Sequence, residues 1–319
     1  MSKAAPLGYV ACEINLLQVD TIVDFDVYIW PDQGTHPVLY RSKKEPFNEE
    51  HRIRLIQANH SEVFVREEDA QAVHAYVERN LDRVISSDTL AIDEKARILY
   101  DTSIRLAQDI LDRPDAHENF KRCGDLVRST ISYVMVGRHA VHQLLALKSH
   151  DYHTYTHSVN VCAIGLALAR EIGMGTMEDL TAFGVGAIFH DVGKMQISQG
   201  ILSKKGPLNE TEWIEMRRHP LLGLDQVAPH AGFPDRGKAV IEQHHEWLDG
   251  RGYPGNRRSE EIDPFAKVAA IADVFDALTS RRPYKDAVDS YPALAIMKEE
   301  VGTHFEEEQY RAFVRLLGR

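Results

Sequence analysis

Long apolar runs are missing from this 319-residue chain: no stretch of about 18 such residues occurs, so no segment has the composition of a membrane-spanning helix. The N-terminal MSKAAPLGYVACEINLL lacks the apolar core and small-residue cleavage site of a secretory signal. Cysteine is scarce. Cys12, Cys123 and Cys162 stand at unrelated spacings, which argues against a disulfide framework or a zinc knuckle and predicts reduced thiols in a cytoplasmic protein. Positive charge is also in deficit, with 37 Lys and Arg against 48 Asp and Glu, for a formal net charge of −11. A polyanion requires a dense basic surface, so a general nucleic-acid binder is excluded, whereas a small phosphorylated substrate needs only a few local cations. Internal repeats and low-complexity tracts are absent too. What the chain does have is 44% hydrophobic residues, enough for one large or two ordinary domains, and 16 histidines, many of them between His139 and His245.

Residues 8–66 read as β-rich with one helix. The partly alternating VDFDVYIW, the turn residues PDQGTH and the returning VLYRS predict a hairpin, followed by a helix over 49–58 and a further strand over 61–67. His36, His51 and His60 are isolated there, and no cluster has catalytic spacing. The reading is a small α/β regulatory or interaction module over 1–68, without the acidic cluster of a phosphoacceptor receiver. Helical periodicity then sets in, over 70–84 and 88–111 up to the break at Arg113-Pro114, and again over 118–146. Residues 69–147 are expected to form a helical linker or stalk, a surface through which two copies could pair as a homodimer.

The remaining 148–319 carry the chemistry. His157, Val161, Ile164 and Leu168 recur at helical spacing, so His157 shares a face with core residues. A single histidine on such a face is more often a hydrogen-bonded core residue than a ligand. Thr176 and Asp179 form a capping box for a helix that delivers His190-Asp191 at its C-terminal end, in the stretch AIFHDVGKM. A carboxylate beside an imidazole suits a divalent metal, and Lys194 places a cation where a phosphate could lie. Asn209 and Glu212 cap a helix that ends at His219-Pro220, since a proline disfavours helix in the residue before it. A helix over 237–247 holds His244-His245, and a glycine-rich loop, DGRGYP, follows it. Asp263 and Pro264 start a helix that is apolar on nearly every face yet contains Asp273 and Asp276, and a buried carboxylate needs a cation, a metal or a hydrogen-bond donor.

Taken in order, His157, His190, Asp191, His219, His244, His245 and Asp273 supply about the right number of donors for two metals with open positions and one bridging carboxylate. Such an arrangement generates a metal-bound hydroxide and neutralises a phosphodiester's developing charge. The residues alone therefore predict an all-helical, metal-dependent hydrolase behind a small α/β module, α+β overall. The motifs HDVGK, HP, HHEWLDGRGYP and ADVFDALTSRRPYK, in that order, closely resemble the HD-GYP subgroup of the HD phosphohydrolases, over about half the chain. The resemblance implies hydrolysis of cyclic di-GMP to pGpG and, in some members, on to GMP. It implies that the seven donors bind metal with Asp191 bridging, that Lys194 sits near the attacking hydroxide or scissile phosphate, that Arg282 and Lys285 hold substrate phosphate and guanine, and that Tyr253 lies beside the substrate. It also makes the GYP loop a possible docking element for signalling proteins.

The chain departs from the family pattern in three places. His153 stands where some members carry a third-metal glutamate, so two divalent ions are expected; ligands without cysteine fit iron or manganese. Asn256, Arg257, Arg258 and Ser259 replace the usual glycines and leucine, and Trp247 replaces a basic residue. Two alternatives stay open at this point: a cyclic di-GMP sensor with weak turnover, and an HD hydrolase of another cyclic dinucleotide.

Overall fold

The structure, a computed structural model, describes residues 7–31, 36–113, 117–147, 154–281 and 287–318. By its internal contacts the chain divides into two compact units, 1–95 and 96–319.

The first unit is built on a four-stranded antiparallel sheet. Its elements are β1 (Tyr9–Glu13), β2 (Thr21–Ile22), β3 (Val27–Ile29), β4 (Val38–Arg41), β5 (Pro46–Phe47), α1 (Glu49–Gln57), β6 (Glu62–Arg66), α2 (Ala70–Arg79) and α3 (Leu81–Ser86). The sheet order is β1-β6-β3-β4, while β2 and β5 pair separately. The hairpin expected from VDFDVYIW and VLYRS is β3–β4, with Tyr28 opposite Leu39. Cys12 faces Val63 in the β1–β6 pair, and Tyr28 faces Phe64 where β6 meets β3. Asn48 caps α1, its side-chain oxygen accepting from the His51 N–H at 3.0 Å. Val23, Phe25, Val27, Phe47, Val63 and Val65 are fully buried and make the core of this small module.

The second unit is helical. Its helices among the described residues are α4 (Ile92–Asp112, within which the division falls), α5 (His117–Met135), α6 (Arg138–Ala146), α7 (Thr154–Glu171), α8 (Met177–Phe189), α9 (Gln199–Leu202), α10 (Glu210–Met216), α11 (His219–Val227), α12 (Asp235–Gln243), α13 (Pro264–Thr279), α14 (Ser290–Lys298) and α15 (Glu307–Leu317). At its centre is α7, in which every residue from Thr156 to Ala169 is buried. A helix with no polar face must be surrounded, and α7 packs against α8, α13 and α15, while α8 also packs against α5 and α12. Ile164, Leu168, Phe183, Phe189 and Phe265 are fully enclosed there, each contributing about 1.5–3 kcal/mol relative to an exposed side chain.

Several boundaries differ from the sequence reading. The helix expected over 70–84 is two, α2 and α3, and the one expected to end at His219-Pro220 stops at Met216. The single helix expected over 118–146 is two, because Gly137 takes φ +151°, outside helical backbone. The helix bearing His190-Asp191 stops at Phe189, and the one expected over 237–247 stops at Gln243. Both changes put the first histidine of each pair, His190 and His244, at the cap position just past the last helical residue.

Candidate metal centre

The sequence brings each donor to its place by a separate local device. Thr176 and Asp179 exchange hydrogen bonds, the Thr176 N–H donating to Asp179 Oδ2 at 2.9 Å, which starts α8. Its apolar run then carries the chain through the core and leaves His190 as the C-terminal cap, with Asp191 opening a short 3-10 turn, Val192–Gln196, that contains Lys194. Proline at the second position of α11 fixes His219 as that helix's first residue, and His244 caps α12. Gly193 allows the 3-10 turn to lie on α11: a Cβ there would overlap the His219 carbonyl oxygen and the Gly223 nitrogen.

Backbone carbonyls decide which ring nitrogen faces the centre. Nδ1 of His190 lies 2.7 Å from the Ala187 oxygen, Nδ1 of His219 2.8 Å from Met216 oxygen, and Nδ1 of His244 2.9 Å from Ile241 oxygen. A carbonyl only accepts, so each Nδ1 carries the proton and each Nε2 presents a lone pair. His157 is set differently: its Nδ1 lies 2.7 Å from Asp276 Oδ2. Asp276 Oδ1 accepts from Asn160 Nδ2 at 2.9 Å, and Asn160 Oδ1 accepts from the Tyr100 hydroxyl at 3.1 Å.

All seven expected donors converge. His157, His190 and Asp191 form one group able to hold a metal ion, and His219, His244 and His245 form a second. Asp191 lies between them: Oδ2 is 3.6 Å from His157 Nε2 and 3.4 Å from His190 Nε2, while Oδ1 is 3.4 Å from His219 Nε2. Asp273 spans them as well, with Oδ1 3.0 Å from His157 Nε2 and Oδ2 3.8 Å from His245 Nδ1. The Lys194 ammonium lies 2.6 Å from Asp191 Oδ2.

The donor chemistry fits divalent cations. Nε2 of His190 and Oδ1 of Asp191 are buried without a hydrogen-bond partner among the described residues. Lone pairs of imidazole and carboxylate cannot face each other across about 3.5 Å, buried, unless a proton or a cation lies between them. Burial, with Lys194 nearby, brings the His219 imidazole down to about 4, and burial beside His190 and His219 brings His244 down to about 3. His245 is held well below its ordinary value by burial and by His244. Burial alone would raise Asp191, but Lys194, His190 and His219 hold it well below the usual carboxylate range; His157 and His245 do the same for buried Asp273. Neutral imidazoles and ionised carboxylates are the forms that ligate.

Beside the centre runs the glycine-rich loop. The Tyr253 ring lies 4.7 Å from that of His245, and the Tyr253 N–H donates to the His245 carbonyl at 3.0 Å. Buried Glu246 anchors the turn that follows, accepting from the backbone N–H of Gly255 at 2.5 Å and of Arg257 at 2.9 Å. Sequence reasoning did not place Glu246, Asn160 or Tyr100, and it named Asp276 as a buried carboxylate in need of a partner without assigning it to the site. A signal existed for Asp276: it stands three residues after Asp273, so two carboxylates share one stripe of an otherwise apolar helix. His153, Arg282 and Lys285 lie outside the described residues.

A model of the HD domain family matches residues 140–308. The chain belongs to the HD domain family. The chain is similar to a cyclic di-GMP phosphodiesterase of Pseudomonas aeruginosa, 38% identical over 194 residues that cover 61% of this chain and 46% of that protein. The cyclic di-GMP phosphodiesterase response regulator RpfG of Xanthomonas campestris is 36% identical over 149 residues, covering 46% of this chain and 39% of that one. A 3'3'-cGAMP-specific phosphodiesterase of Vibrio cholerae is 32% identical over 165 residues, covering 52% and 35%. The chain thus spans less than half the length of each of these curated relatives. Among solved structures, an HDG"Y"P protein from Bdellovibrio bacteriovorus shares the fold, with a TM-score of 0.68 and 20% identity over 98% of this chain and all of that one. No described helix is long and apolar enough to cross a membrane.

Proposed function

We propose that this chain hydrolyses a cyclic dinucleotide, cyclic di-GMP, to linear pGpG with the help of two divalent metal ions. The observation that carries the reading is the position of Asp191, whose two oxygens reach imidazoles of both groups at 3.4 Å. In this reading His157, His190 and Asp273 hold one ion, His219, His244 and His245 the other, and Asp191 both. Iron or manganese suits such a set of imidazoles and carboxylates. When bound, the two ions supply positive charge against the phosphodiester's developing charge and make water a better nucleophile.

The protein's own groups do the positioning. Lys194, whose side chain is 19% exposed beside Asp191, presents an ammonium to a phosphate oxygen entering the centre. Tyr253 closes one wall against His245, and Glu246 holds the turn that presents it. Arg282 and Lys285, outside the described residues, are assigned by the family resemblance to hold substrate phosphate and guanine. The enclosed imidazoles keep bulk water from the ligands: His157, His190, His219 and His244 are each 1% exposed.

A second substrate, 3'3'-cGAMP, is favoured by two observations: similar relatives carry that specificity, and the loop Asn256–Ser259 departs from the usual family pattern. A sensor with little turnover is disfavoured by the complete donor set and by Lys194. The test is turnover by anaerobically purified protein of cyclic di-GMP, 3'3'-cGAMP and cyclic di-AMP, with products resolved by chromatography and metal measured on the same sample. The expected result is pGpG from cyclic di-GMP, lost on chelation. Binding of cyclic di-GMP with no linear product from any dinucleotide would replace the enzyme reading with the sensor reading.

A further inference from the structure

We infer that Arg217, held between Trp213 and Tyr253 at the edge of the metal centre, reads a guanine base of the substrate. The inference rests on the phosphodiesterase reading above and sharpens it, because it names the group that separates guanine from adenine.

Trp213 and Arg217 are four residues apart at the end of α10, the Arg217 N–H donating to the Trp213 carbonyl at 3.0 Å, so their side chains share one face. The Arg217 guanidinium lies 5.7 Å from the Trp213 ring centroid and 5.5 Å from that of Tyr253. The Tyr253 ring in turn is 4.7 Å from His245. Two short steps thus connect the guanidinium to a residue of the metal centre, a span suited to a purine whose phosphate lies over the ions. Arg217 is exposed, and among the described residues no carboxylate pairs with it. Two rings steady the flat of the guanidinium, while its N–H groups remain available in its plane. Trp213 is 45% exposed and offers a face on which a base can stack.

That chemistry is selective. Guanine presents two acceptors, O6 and N7, along one edge, and the arginine fork donates to both. Adenine carries an amino group in place of O6, so donor would face donor. Lys194 already stands where a phosphate enters. The second cation, farther out and backed by rings, is placed for a base.

The test uses the full chain loaded with metal, comparing the unmodified protein with Arg217→Ala and Arg217→Gln on cyclic di-GMP, 3'3'-cGAMP and cyclic di-AMP. KM is measured for each, or the inhibition constant for any dinucleotide that is not turned over. Arg217→Ala should raise KM for cyclic di-GMP about tenfold, leave metal content intact, and narrow the preference for cyclic di-GMP over cyclic di-AMP by a similar factor. Arg217→Gln, whose amide matches the adenine edge, should move that preference further toward cyclic di-AMP. Equal losses on all three substrates would mark Arg217 as a phosphate contact and overturn the base assignment, and unchanged constants would remove it from the substrate altogether. If the unmodified protein hydrolyses none of the three, the phosphodiesterase reading fails and this inference with it; activity with an unmoved preference sinks only the role of Arg217.

Discussion

Asp276 stands behind His157: its Oδ2 is 2.7 Å from Nδ1 of the ring whose Nε2 faces Asp191 and Asp273. The carboxylate fixes the proton on Nδ1, orients the ring and makes Nε2 a stronger donor. Asp276→Ala should therefore lower metal affinity or activity about 10- to 100-fold, although residue 276 need not touch a metal. Asp276→Asn, which keeps an acceptor for the ring, should lose less. Metal content after dialysis against a graded chelator, beside turnover, checks both; an alanine variant with unaltered metal retention would show that the pair only packs.

Asp191→Asn tests the bridge itself. The amide keeps the shape but offers one neutral acceptor where two charged oxygens reached both imidazole groups. Hydrolysis should fall below detection and bound metal should drop. Full metal content with full activity would end the bridging assignment.

His153 concerns the number of ions. A neutral imidazole brings no negative charge to a centre already rich in cations, so the protein should bind about two ions per chain, and the first step, opening the ring to pGpG, should outrun conversion to GMP. His153→Glu should raise occupancy. Three well-occupied ions in the unmodified protein would contradict this.

The histidines also set a pH dependence. Folding lowers His219 to about 4 and His244 to about 3, chiefly by burial, from the ordinary value of 6.5. Below 6.5 the unfolded chain takes up protons that the folded, metal-free protein refuses, so stability is full above that pH and is lost as pH falls toward 4. The loss deepens with each unit by which the pH falls below 6.5 until the folded-state imidazoles begin to take up protons as well. Urea unfolding midpoints of chelator-treated protein at pH 7.5, 6, 5 and 4 should decline in that order, and metal should delay the decline.

The donors were legible because each carries a mark in one dimension: HDVGK after an apolar run, a histidine before proline, paired histidines before a glycine-rich loop. Fold class followed from the change between alternating and helical periodicity near Glu67. What could not be read is the work of the third dimension. Periodicity showed Asp273 and Asp276 as two carboxylates in an apolar helix, but only the packing of α13 on α7 shows that one faces the centre and the other the back of His157. Carbonyl locks on His190, His219 and His244 arise from where each helix ends, and those ends lay two to four residues from the expected ones. The stack of Trp213, Arg217 and Tyr253 joins two segments about 36 residues apart in the chain and leaves no local pattern.

Gly193 offers a packing test. Its missing side chain lets the turn bearing Lys194 touch α11, and Gly193→Ala should force the two apart, at a cost of about 1–3 kcal/mol. Thermal unfolding should show the loss, and the displacement of His219 should appear as weakened metal retention.

Gly252 ties two histories together. A Cβ there would overlap the Trp247 nitrogen, with the Glu246 Cα and the His245 carbonyl close by, so the loop's backbone lies directly on the segment that follows His244 and His245. In the proposed reading, the wall that would meet the substrate and the ligands that would hold the ions share one short piece of chain. Drift in substrate preference through this loop is consequently constrained by the ligands: a change that lifts the loop disturbs His245. Asn256 belongs to the loop's seat as well, because its side-chain amide donates to the Gly252 carbonyl at 2.6 Å, and Arg257 is tied to Glu242 at 2.8 Å.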